Sequence, residues 1–185
     1  MLTQLPLVEN HLDSVVGKVP TAIQGEKKLA STHLHLYRGV RKEDFPDGVI
    51  VDSHAVAGVL HPTFRTTTHE ALVKGVPQTR VRGPDVKPFV YGGQQVIDPG
   101  RGTSLFDKEK VFGTKYWWYF TIPKGTEVPA SLHVRHTGRN DHYDAEHYQI
   151  EAACRRMPVE SYKGALDNLA RNAVKKLYDD ARSPI

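Results

Sequence analysis

A chain of 185 residues, 39% apolar and 25% charged, is long enough to bury one core of ordinary size and too short for two independent domains. Its 15 glycines and 12 prolines fit a loop-rich globular protein rather than a disordered or fibrous one, and no apolar run approaches the roughly 20 residues that span a bilayer. Twenty-five lysines and arginines against 21 acidic residues leave a net charge of +4, which suits anionic partners without indicating nucleic acid.

Residues 1–31 are polar and mixed, with amphipathic spacing at Leu5, Val8, Leu12 and Val15 and a glycine-containing break from Gly17 to Gly25. They read as an N-terminal extension to a single domain over residues 32–185. The first ten residues lack the basic and apolar regions of a cleavable secretory signal. The alternation from His33 to Val40 predicts a first core strand, with Leu34, Leu36, Arg38 and Val40 on one face. An arginine in register with leucines near a strand end points to a cleft or an ion pair, because burying it alone costs several kcal/mol. Residues 61–103 carry Pro62, Pro77, Pro84, Pro88 and Pro99 among many glycines and are expected to be mainly loops. Strand patterns return at Gly102 to Phe106, Tyr116 to Ile122, Leu132 to His136 and His147 to Ala153, with turns expected at Pro123 to Gly125 and Thr137 to Asn140. From Tyr162 to Tyr178, apolar residues recur at three- and four-residue spacing, predicting a C-terminal amphipathic helix capped near Glu160 or Ser161. The class is α+β.

Signatures of common enzymes are missing: there is no Walker loop, GxGxxG, HExxH, CxxC or GxSxG. Ten histidines without ligand spacing read as structural or solvent-facing, so no metal site is expected. The lone Cys154 excludes an intramolecular disulfide and suits a reducing compartment. Thr103 and Ser104, after the turn Asp98-Pro-Gly-Arg101, would either orient a ribose or a catalytic group or bond the local backbone. In Tyr116-Trp-Trp-Tyr-Phe120 alternation sends Tyr116, Trp118 and Phe120 to one face and Trp117 and Tyr119 to the other; one face must be core, and the other either packs as well or stacks a planar ring such as a base or nicotinamide. His147 and Gln149 share one strand face, which is either a polar solvent edge or part of a site.

In order and spacing, Leu36-Tyr-Arg-Gly-Val40, Leu60-His-Pro-Thr-Phe64, Gly102-Thr-Ser-Leu-Phe-Asp107, Thr121-Ile-Pro-Lys-Gly-Thr126, His147-Tyr-Gln-Ile150 and Leu166-Asp-Asn-Leu-Ala-Arg-Asn-Ala173 together resemble one family. It is the type-six-exported growth-arrest toxin family, type VI secretion effectors whose fold is similar to that of ADP-ribosyltransferase toxins. The resemblance runs from about Leu34 to Arg182. It implies a split mixed or antiparallel sheet with peripheral helices and the C-terminal helix. By resemblance, Arg38, Thr103, Ser104, His147 and Gln149 take the catalytic places, and Arg38, Thr103, Ser104 and Tyr119 contact NAD. A guanidinium suits the diphosphate of NAD, and oriented polar groups suit its ribose.

The sequence departs from such transferases on one strand, which offers His-x-Gln in place of Glu-x-Glu. Glu146 and Glu151 flank it, and which of them supplies a carboxylate stays open; Glu151 shares the parity of His147 and Gln149. The resemblance therefore implies a growth-inhibiting toxin acting in the cytoplasm of a target cell, exported without a cleavable signal. It would modify an intracellular macromolecule with NAD and be matched by a cognate immunity protein. Hydrolysis of NAD or a nucleotide, or sequestration of a cellular partner without catalysis, are the alternatives.

Overall fold

The computed structural model describes residues 30–183. Most of the expected N-terminal extension, with its amphipathic spacing, lies outside the described residues. Ala30 and Thr32 already hydrogen-bond through their backbones to Val128 and Thr126.

At the centre is a five-stranded antiparallel sheet built from β1 (Leu36–Arg41), β8 (Gly102–Phe106), β9 (Trp117–Ile122), β10 (Leu132–Asn140) and β11 (Ala145–Ala152), in the order β10-β11-β8-β1-β9. Directly paired residues share a face. The register Leu36 to Ile122, Arg38 to Phe120 and Val40 to Trp118 puts Arg38 on the apolar side with Leu105 and Ile150. That side packs on α1 (Val159–Arg182), whose Tyr162, Leu166, Leu169, Ala170 and Ala173 are buried at helical spacing. The peripheral helices implied by the resemblance are represented by α1 alone among the described residues. Its first residue follows Pro158, which caps it without a side-chain hydrogen bond, so neither Glu160 nor Ser161 serves as the cap. No described helix is long and apolar enough to cross a membrane.

Residues 61–103 hold more structure than expected. The hairpin of β4 (Thr67–Val73) and β5 (Val76–Arg82) turns at Lys74 and Gly75, and that of β6 (Phe89–Tyr91) and β7 (Gln94–Ile97) turns at Gly92 and Gly93. All four turn residues have positive φ, between 54° and 80°. Two-residue turns of this kind match the twist of paired strands, so these glycines close hairpins rather than break structure. Two small pairings complete the framework, β2 (Ile50–Val51) with β3 (His54–Ala55) and β12 (Met157–Pro158) with β7.

Two departures shape the site. First, β10 runs through the turn expected at Thr137 to Asn140; a bulge between His136 and Gly138 shifts its register, and the reversal falls at Asp141 to Asp144 instead. Second, β1 and β8 meet only at the pair Tyr37 to Phe106, whereas β1 pairs with β9 from Leu36 to Arg41. The sheet is split along the seam between β1 and β8.

Candidate active site

A cavity of about 910 Å³ opens at this seam. Because the strands part there, side chains from both faces of the sheet reach it: Arg38 from the helix side, and Ser104, Phe106, Trp117 and His147 from the other.

Arg38 is the central feature. Its Nη1 donates to the Ser104 carbonyl at 3.1 Å and its Nη2 to the His61 carbonyl at 3.4 Å, so the guanidinium staples the open seam. Its Nε is buried and has no partner. Burial lowers the proton affinity of the guanidinium, and the Asp85 charge pulls the other way. The group stays protonated under any ordinary condition. Asp85 is fixed by the Thr63 amide at 3.0 Å and by Arg82 at 2.9 Å. Its burial opposes ionisation, but the Thr63 hydrogen bonds and the Arg82 and Arg38 charges together hold its carboxyl below the usual range.

Opposite Arg38 stands an aromatic wall. Phe112 packs edge-on to Phe106 at 5.6 Å and to Tyr143 at 5.0 Å, and lies tilted on Trp117 at 4.7 Å. It sits over Gly39 because the strand is bare there: a Cβ at Gly39 would lie 2.8 Å from the Phe112 ring. His147 adds its ring edge to Phe106 at 5.2 Å. Burial, and secondarily His136, push the His147 imidazole below the ordinary histidine pKa. The β10 bulge supplies Thr137, Gly138 and Arg139 to the rim.

Of the residues singled out in the sequence, Arg38, Ser104 and His147 line the cavity. Three others are held elsewhere. Thr103 is buried on the helix side of β8, and its hydroxyl donates to the Leu60 carbonyl at 2.6 Å. Gln149 shares the face of His147 but sits farther along β11, where its Oε1 accepts from Arg135 at 3.2 Å. Tyr119 accepts from the Phe112 amide at 2.8 Å and donates to the Gly113 carbonyl at 2.9 Å, holding the loop that carries Phe112. Neither flanking glutamate is in the wall. Glu146 accepts from His136 at 2.7 Å, and that bond, with Arg139, lowers its pKa. Glu151 is buried under Arg135, with 2.7 Å between its Oε1 and the arginine Nε. The acidic side chains in the wall are Asp44, Asp85 and Asp141, which no strand pattern marks, and Phe112 and Tyr143 likewise come from irregular segments.

The family model described as Tse2 ADP-ribosyltransferase toxin matches residues 25–178. The protein is similar to Toxin Tse2 of Pseudomonas aeruginosa, with 35% identity over 161 residues covering 82% of this chain and 94% of the relative. With the split sheet, the seam arginine and the cavity between them already in place, the chain belongs to the Tse2 ADP-ribosyltransferase toxin family.

Proposed function

We propose that the cavity binds NAD and that the protein transfers ADP-ribose from it to a macromolecule inside a target cell, arresting growth. The observation that carries this reading is the Arg38 guanidinium, buried at the seam with an unpartnered Nε and no carboxylate in ion-pair contact among the described residues. A buried cation that touches no carboxylate and keeps one donor unpartnered is costly, and an anion that contacts it offsets that cost. NAD fits on both counts: Arg38 suits its diphosphate, and the wall of Phe106, Phe112, Trp117 and Tyr143 suits a planar ring. When bound, NAD supplies a cationic nicotinamide leaving group on its ribose.

The chain's own groups would do the rest. Arg38 anchors the donor, and Ser104, whose hydroxyl makes no protein hydrogen bond among the described residues, is free to orient a ribose hydroxyl. His147 is largely neutral at pH 7 and able to take a proton. As a toxin, the protein would meet a cognate immunity partner, and an acidic one would complement its net charge of +4.

The test incubates the protein with NAD labelled on its adenylate part and a cell lysate, following nicotinamide release and label transfer together. The expected result is transfer to a macromolecule, lost in Arg38→Ala and Ser104→Ala. Silence in both channels from a folded protein overturns the reading. A second reading, hydrolysis of NAD, is favoured by one observation: no glutamate of β11 reaches the cavity. Nicotinamide release without transfer would establish it.

A further inference from the structure

The β10 bulge has a chemical effect at His147. Thr137 is the extra residue: His136 pairs with Tyr148 and Gly138 with His147, leaving Thr137 without a partner. A bulge turns such a residue out of the regular alternation. The Thr137 hydroxyl is thereby brought against His147 at two points, the carbonyl oxygen at 3.0 Å and Nδ1 of the ring.

A hydroxyl has one proton to give, and a carbonyl oxygen can only accept. Both contacts are hydrogen bonds at once only when that proton goes to the His147 carbonyl. In that arrangement Oγ1 turns a lone pair toward Nδ1, and Nδ1 carries the hydrogen. A neutral imidazole has a single N–H. Its Nε2, which makes no hydrogen bond among the described residues, is then bare on a ring that lines the cavity.

We infer that Thr137 is a positioning residue that locks His147 in the Nδ1–H tautomer and makes Nε2 the proton acceptor of the site. The chemical use of this acceptor rests on the transferase reading above. As nicotinamide leaves with the electron pair of its bond to ribose, the nucleophile bonds to the same carbon and its proton passes to Nε2. His147 lies against Phe106 of β8, and the charged or titratable groups around it are His136, Arg139, Tyr143 and Glu146. None of these has a hydrogen bond to the ring, so only Thr137 sets the tautomer.

The experiment is a long-range proton–nitrogen NMR spectrum of the full chain, labelled with 15N in histidine, above pH 7.5. The His147 signal is identified by its loss in His147→Gln. The expected spectrum shows His147 protonated at Nδ1, retained in Thr137→Ser and shifted toward the Nε2–H form in Thr137→Val. A wild-type ring protonated at Nε2 overturns the inference, and this measurement does not depend on any Thr137 variant folding. An unchanged ring in a folded Thr137→Val overturns it as well. In the activity assay, Thr137→Val should lower turnover about tenfold or more at unchanged KM for NAD, with Thr137→Ser restoring it. A wild-type protein with no activity on NAD would sink the transferase reading, while the spectrum still decides the tautomer.

Discussion

Replacing Thr103 with valine and Ser104 with alanine separates support from chemistry at two adjacent positions. Valine keeps the shape of threonine but removes the donor that meets the Leu60 carbonyl at 2.6 Å, in a site closed to solvent. A buried acceptor left unsatisfied costs about 1–3 kcal/mol. For a chain of this size each kcal/mol lowers Tm by about 2–4 °C, so Thr103→Val should melt about 2–12 °C lower. Nicotinamide release per folded molecule should stay near the parent value, because the hydroxyl faces the helix and not the cavity. Ser104→Ala should do the opposite. Its hydroxyl has no protein partner among the described residues, so stability should hold to within about 0.5 kcal/mol while release falls. Thermal unfolding followed by circular dichroism, with release measured below both melting points, reads the two effects separately. A Thr103→Val protein with unchanged Tm and no release would refute the reasoning, since it would place Thr103 in the chemistry.

Arg38→Met should abolish stabilisation by NAD and also lower Tm, because it removes the guanidinium donors that bridge the seam to the Ser104 and His61 carbonyls. A thermal-shift titration checks this: with NAD at 100 times its Kd the parent should gain about 2.7 kcal/mol, and a comparable gain in the variant would contradict the role of Arg38. The pH profile follows from His147, whose pKa lies below the ordinary value of 6.5 through burial and then His136. Activity should be flat above that value and fall as pH drops through the lowered one. Stability should be lost over the same window, because the unfolded chain takes up the proton first. His136→Gln should move this acid limb of the activity profile to higher pH, and a shift the other way would argue against the pairing. Glu151→Gln should lower Tm by weakening the bond to Arg135 but leave release per folded molecule intact, whereas loss of release at unchanged Tm would return Glu151 to the site.

Much of the scaffold was legible in the chain because local periodicity dictates it. The alternation around Arg38 put that residue on the leucine face, and the register with Phe120 does the same. The spacing from Tyr162 onward marked the apolar stripe of α1. The hairpins within 61–103 were harder to read, because Lys74-Gly75 and Gly92-Gly93 look like breaks until each is seen as a two-residue turn. The expected turn at Thr137 misled for a similar reason: Gly138 accommodates a bulge, not a reversal.

The site itself shows where sequence stops. Residue type left open whether Ser104 and His147 were structural, the resemblance offered them with Arg38, Thr103, Gln149 and Tyr119, and the cavity gathers only Arg38, Ser104 and His147 of the six. Period-two alternation already sends Thr103 and Ser104 to opposite faces, but which face meets the cavity depends on where the sheet splits. That split is a long-range property, set by β1 keeping its ladder with β9 while touching β8 at a single pair. It brings Phe112, Asp85 and the Thr137 bulge, distant in the chain and carrying no pattern of their own, around one arginine. Local order follows from neighbours a few residues apart, and the sequence determined it. Only the tertiary structure decided which side chains share a cavity, because strand pairing and the packing of α1 set that arrangement across the whole fold.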